Sequence, residues 1–125
     1  MISICEVSAS QKIRKGKLRM DDYRYYRVDY RGTRYEFKFR YTHSRSDGWR
    51  AYIVSAPSYA GRSESLSATH RLHGTNGEYY ICWNSTIPEE KQMNAVVELW
   101  CRATVMYIVN GGESIDAYAN KLKAS

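Results

Sequence analysis

The chain is poor in several residue types, and each shortage excludes a class of protein. Only 3 of its 125 residues are cysteines, without Cys-x-x-Cys spacing, which argues against a disulfide framework and predicts a cytoplasmic location. No apolar run resembles a signal peptide or is long enough to cross a bilayer, so no membrane partner is predicted. Two phenylalanines stand against 12 tyrosines, a bias that favours half-buried strands with the hydroxyl at the wet edge.

The net charge of +6 is unevenly placed along the chain. Residues 1–50 hold 13 lysines and arginines against 6 acids, whereas residues 51–125 hold 6 against 7. This asymmetry predicts an acidic macromolecular partner, either nucleic acid or protein. The length suits one domain, so we predict a basic N-terminal arm or edge element over residues 1–20 and a single α+β domain over residues 21–125.

Strict alternation predicts the first hairpin of a sheet. Residues 34–41 place every aromatic on one face and every charge on the other, because side chains in a strand repeat with a period of two. Residues 23–30 alternate in a similar way. The short glycine-containing link at residues 31–33 therefore predicts a β-hairpin.

Two further segments extend the predicted sheet. Residues 49–54 end in a continuous apolar run, which predicts a more central strand, and residues 55–67 have the composition of a loop. Asn76-Gly77 is a strong turn signal, so a second hairpin is predicted between residues 70–73 and 79–83.

A long amphipathic helix is predicted over residues 86–110. Apolar residues recur there at helical spacing, Thr86 and Glu89 form a candidate capping box, and Gly111 supplies a C-cap. A short helix follows over residues 114–123. The sequence thus predicts an antiparallel meander of four to five strands packed on one long helix with a short terminal helix.

The predicted exposed side of the first hairpin concentrates cations and tyrosines. Its members are Tyr23, Arg24, Tyr25, Arg27, Arg34, Lys38 and Arg40. Cations neutralise phosphates and aromatic rings stack on unpaired bases, whereas the alternative is an ordinary solvated face on which arginine stems cover tyrosine rings. The best functional prediction is a non-enzymatic module that binds nucleic acid. An adaptor or inhibitor that binds another protein, of the kind mobile elements encode, is the alternative.

Cys82 and His70 are the candidates for catalysis. A neighbouring histidine can activate a thiol, but a small core residue is the simpler interpretation of Cys82, which lies between Ile81 and Trp83. Without a Cys-x-x-Cys knuckle we predict no metal site, and no Gly-rich phosphate loop follows a strand, so no cofactor is predicted.

The order of elements over residues 23–110 resembles the ubiquitin-conjugating (E2-like) fold. A meander is followed by a loop with Pro57, then by His70, by Cys82 and by a helix. The resemblance implies a thiol carrier at Cys82. The His-Pro-Asn motif of that family is absent, since His70 is followed by Arg71-Leu72, so the resemblance favours an inactive E2-like binding domain.

Overall fold

The computed structural model describes residues 6–7, 22–75, 77–83 and 85–124. Its strands are β1 (Glu6–Val7), β2 (Asp22–Tyr30), β3 (Thr33–Ser44), β4 (Gly48–Ser55), β5 (Arg71–His73) and β6 (Tyr79–Ile81). Its helices are α1 (Leu66–Thr69), α2 (Glu90–Asn110) and α3 (Ile115–Ala124). The predicted basic arm lies outside the described residues, except that β1 pairs with β2 at the edge of the sheet.

The strands form one antiparallel sheet in the order β1-β2-β3-β4-β6-β5. The prediction of an α+β fold with an antiparallel meander, a long helix and a short helix is therefore confirmed. Arg31 and Gly32 both have positive φ, of 52° and 81°, the geometry of a tight turn whose twist matches that of the flanking strands. β4 lies between β3 and β6, as its apolar run predicts.

The core lies between one face of the sheet and α2. Trp100 of α2 makes edge contacts with Phe37 and Phe39 of β3, each at 6.0 Å between ring centroids. Its indole N–H donates to the carbonyl of Thr69 at 3.0 Å, so burial leaves this polar group paired. α3 packs against α2. One face of the sheet is thus committed to the core.

The start of α2 differs from the prediction. Glu89 is the N-cap and forms a capping box with Gln92, so the predicted box of Thr86 with Glu89 is wrong. The cause is a tertiary contact, because the carbonyl of Ile87 accepts a 2.8 Å hydrogen bond from the backbone of Trp49. That bond holds the chain beside β4 before the helix begins.

The other boundaries follow the sequence more closely. Gly111 ends α2 with a φ of 77°, which confirms the predicted C-cap. Residues 66–69, partly predicted as loop, form a single helical turn because the Ser65 hydroxyl accepts from the backbone N–H of Ala68 at 3.2 Å. Gly77 has the positive φ expected of its turn, while Asn76 lies outside the described residues.

Candidate nucleic-acid interface

The sheet has a second face, opposite α2, which we call the outer face. Alternation buries Tyr26 and Val28 of β2 and Phe37 of β3 in the core, so the residues between them point the other way. The β-pairing register then defines the outer face across the sheet. Its members are Tyr23, Tyr25, Arg27, Asp29, Arg34, Glu36, Lys38, Arg40, Arg50, Tyr52, Leu72 and Tyr80.

Lys38 lies between two tyrosines of the neighbouring strand. It pairs in register with Tyr25, and its ammonium nitrogen is 4.6 Å from the ring centroid of Tyr23 and 5.4 Å from that of Tyr25. Tyr23 is 37% exposed and Tyr25 is 42% exposed. A cation and two accessible rings therefore share one patch.

The same alternation of cation and ring continues across the sheet. The Arg40 guanidinium lies 4.7 Å from the ring centroid of Tyr52, and that of Arg50 lies 4.1 Å from the centroid of Tyr80. Arg50 also donates to the Tyr52 hydroxyl at 3.3 Å. Burial alone would lower the pKa of Arg50, but this hydrogen bond and the nearby Tyr80 outweigh it and raise the pKa.

The sequence prediction missed Arg50, Tyr52 and Tyr80 as members of this surface. Arg50 and Tyr52 are two residues apart in β4, so the alternation of side chains could have placed them on one face. Tyr80 had no such signal, because its position follows from the pairing of β6 with β4, opposite Tyr52.

The cations of the outer face differ in how strongly they are neutralised. Arg40 forms an ion pair with Glu78 and its side chain is 18% exposed. Arg27 contacts Asp29 at 3.6 Å, and Arg34 approaches the same carboxylate only to 4.0 Å with 61% exposure. Exposed pairs of this kind contribute little. For Lys38, no carboxylate among the described side chains lies within ion-pair distance.

Arg24 does not belong to this face, so its predicted placement with the exposed cations is wrong. It has the parity of Tyr26 and lies on the core side, where it pairs with Glu90 of α2 and stacks 4.6 Å from the ring centroid of Tyr41. The Tyr41 hydroxyl donates to Asn94 at 2.8 Å. Burial, and then the neighbouring Tyr26, raises the pKa of Tyr41 above its ordinary value. Arg24 thus helps to hold α2 on the sheet.

Cys82 and His70 meet at the end of the second hairpin. The backbone N–H of Cys82 donates to the carbonyl of His70 at 3.0 Å, so the two residues face one another across the ladder. Cys82 is half-buried, whereas Cys101 is fully buried. His70 Nδ1 lies 3.9 Å from a carboxylate oxygen of Asp116. Among the described residues, no three His, Cys, Asp or Glu side chains are grouped as a metal site would require.

No protein-family model matches the chain, and neither the curated proteins nor the solved structures include a match. Among the described helices, none is long and apolar enough to cross a membrane.

Proposed function

We propose that the chain is a binding module whose outer face engages single-stranded nucleic acid. The observation that carries this proposal is the position of Lys38 over the half-exposed rings of Tyr23 and Tyr25. Cations that follow a backbone, interleaved with rings on which bases stack, are the two parts that single-strand binding requires.

The charge distribution supports the phosphate contacts. Lys38, Arg34 and Arg27 lie on neighbouring strands at the β1 side of the sheet, and their carboxylate contacts are long or absent among the described side chains. A phosphate can displace an exposed carboxylate that contributes only about 0.2–1 kcal/mol. Arg40 contributes less to the phosphate contacts, because it is already paired with Glu78 and stacked on Tyr52.

The ring geometry favours a single strand over a duplex. The rings of Tyr23 and Tyr25 stand on the surface of a sheet, where they can accept a base whose π-face is free. Bases in a duplex are already stacked, and their faces are not accessible to side chains. Among the described residues, no helix lies on this face to enter a major groove, which is the usual means of reading duplex sequence.

The test is fluorescence anisotropy with labelled single-stranded and duplex oligonucleotides at several salt concentrations. The double variant Arg34→Gln with Lys38→Gln removes two cations from the outer face. The matched control, Lys91→Gln with Lys121→Gln, removes the same charge from exposed positions on α2 and α3. We expect single-strand binding with a salt slope about 1.4 shallower in the first variant, since each phosphate contact contributes about 0.7.

Two results would contradict the proposal. Equal losses in the two double variants would mean that only net charge matters. Absence of binding by any oligonucleotide at low salt would leave the tyrosine- and arginine-rich face to an acidic protein partner, for which these residue types are also suited.

A thiol carrier that uses Cys82 is the second candidate, favoured by the half-buried position of Cys82 opposite His70. Its test compares the alkylation rate of Cys82 by iodoacetamide in the folded chain and in urea. An activated nucleophile reacts faster when folded, because the fold supplies the activation. Slower reaction in the folded chain would instead identify a packed, inert thiol, with the fully buried Cys101 as the internal reference.

A further inference from the structure

A cleft of 230 Å³ opens between the start of β4 and the end of β6, next to the outer face. It exists because the chain leaves the sheet after Ile81 of β6 and returns to β4 only at Ile87, whose backbone pairs with Gly48. The floor of the cleft is apolar and is formed by the nearly buried side chains of Ile81, Ile87 and Met93. The cleft therefore passes from the outer face down to the core.

Aromatic rings and polar groups line the remainder of the cleft. Trp49, Trp83 and Tyr80 supply the rings, and both tryptophans are only partly buried. The polar groups include the Asp47 carboxylate and the Arg50 guanidinium. These two are 3.7 Å apart, longer than a hydrogen bond between them would be.

The cleft is continuous with the surface proposed to bind a strand. Tyr80 and Arg50 line the cleft and also form the last cation–ring pair of the outer face. A strand that follows the cations from Lys38 toward Arg50 reaches the mouth of the cleft. Arg50 is placed there to contact a phosphate, while the floor lies deeper in the protein.

The size and chemistry of the cleft select a planar ring with hydrogen-bond donors. A cavity of about 150 Å³ holds a benzene ring, so 230 Å³ accommodates one substituted heterocycle. The Asp47 carboxylate only accepts hydrogen bonds. Its complement is a base with an exocyclic amino group, since carboxylates accept from the N4 amino group of cytosine and thymine lacks such a group.

We infer that this cleft binds one amino-bearing base of the strand, its ring against the aromatic side chains, its amino group on Asp47 and a neighbouring phosphate of the strand at Arg50. The inference rests on the proposed function for the strand that delivers the nucleotide. It adds a preference among bases, which the outer face alone does not supply because stacking and phosphate contacts are tolerant of sequence.

The test compares oligodeoxycytidylate with oligothymidylate of equal length, and the corresponding mononucleotides. Binding is followed by anisotropy and by quenching of the tryptophan fluorescence, to which Trp49 and Trp83 contribute. We expect about five- to tenfold tighter binding of the cytosine oligomer, together with quenching. The variant Asp47→Asn should reduce this ratio to about one, while Glu113→Gln, at an exposed position between α2 and α3, should preserve it.

The outcomes separate this inference from the proposed function. Equal binding of both oligomers without quenching would overturn the inference and leave the outer-face function standing. Quenching by deoxycytidine monophosphate, with no binding of either oligomer, would overturn the outer-face function and support the cleft as a site for free nucleotide. Failure of every ligand to bind would overturn both. A cytosine preference that survives in Asp47→Asn would overturn the role of the carboxylate and, with it, the inference.

Discussion

The opposite placement of Arg24 and Lys38 on the sheet leads to a prediction that separates folding from binding. Arg24→Gln removes the ion pair with Glu90 and the stacking on Tyr41 at 4.6 Å. A surface ion pair contributes about 0.2–1 kcal/mol, and a partly desolvated cation–π contact contributes about 1–2 kcal/mol. Since the Arg24 side chain is 13% exposed, we expect the free energy of unfolding to fall by about 1–3 kcal/mol.

The matched variant is Lys38→Gln, which removes one cation from the outer face. Its stacking on Tyr23 is exposed, so its loss should cost no more than about 1 kcal/mol. Its effect should instead appear in binding, as a salt slope about 0.7 shallower.

Urea unfolding followed by tryptophan fluorescence measures the first quantity, and anisotropy at several salt concentrations measures the second. Arg24→Gln should change the midpoint of unfolding with an unchanged slope of unfolding free energy against urea, and should leave the salt slope of binding intact. The reasoning is refuted if Arg24→Gln is as stable as the parent chain and lowers the salt slope as much as Lys38→Gln does.

Two further predictions concern stability. Burial raises the pKa of Tyr59 to about 12 and also raises that of Tyr41, so the unfolded chain loses these protons near pH 10 while the folded chain retains them. The contribution of these two tyrosines to stability should therefore be constant below pH 10 and should fall as the pH rises from 10 to 12. Urea unfolding across this range should show a shallower fall in Tyr41→Phe. Gly48→Ala should destabilise more than Gly32→Ala: both glycines have positive φ, but only at Gly48 would a Cβ meet the backbone of Ile87, at 2.6 Å. Equal losses in thermal melts of the two variants would show that φ strain alone decides.

The elements of the fold could be predicted because their patterns are local. The alternation of aromatics and charges in β3 and the helical spacing in α2 are properties of contiguous residues, and Gly111 ends the helix for a reason internal to its own backbone. The start of α2 could not be predicted in this way. The bond between Ile87 and Trp49 overrides a capping signal at Thr86 that is sound in isolation.

The candidate site was predictable on one hairpin and not beyond it. Hairpin register follows from a short link, so the neighbours of Lys38 on β2 could be expected. The pairing of Tyr80 with Tyr52 joins strands separated by a long connection, and no local pattern specifies that register. The cleft depends on the same pairing of β6 with β4, and on the fact that β6 ends at Ile81. The misplacement of Arg24 has a simpler cause. Arg24 is two residues from the buried Tyr26 in β2, so the alternation of side chains puts it on the core side.

The solvated-face interpretation and the binding interpretation of the outer face differ in what happens to the stacked cations. Lys38 covers the rings of Tyr23 and Tyr25, and a base that stacks there must displace it. That displacement costs about 0.5–1 kcal/mol per exposed contact, whereas stacking of a base on an aromatic side chain contributes about 1–3 kcal/mol. The displaced ammonium remains beside the strand, where it can neutralise a phosphate instead. The exchange is therefore favourable but small at each position, so the affinity of the outer face must come from several such exchanges and must weaken steeply with salt.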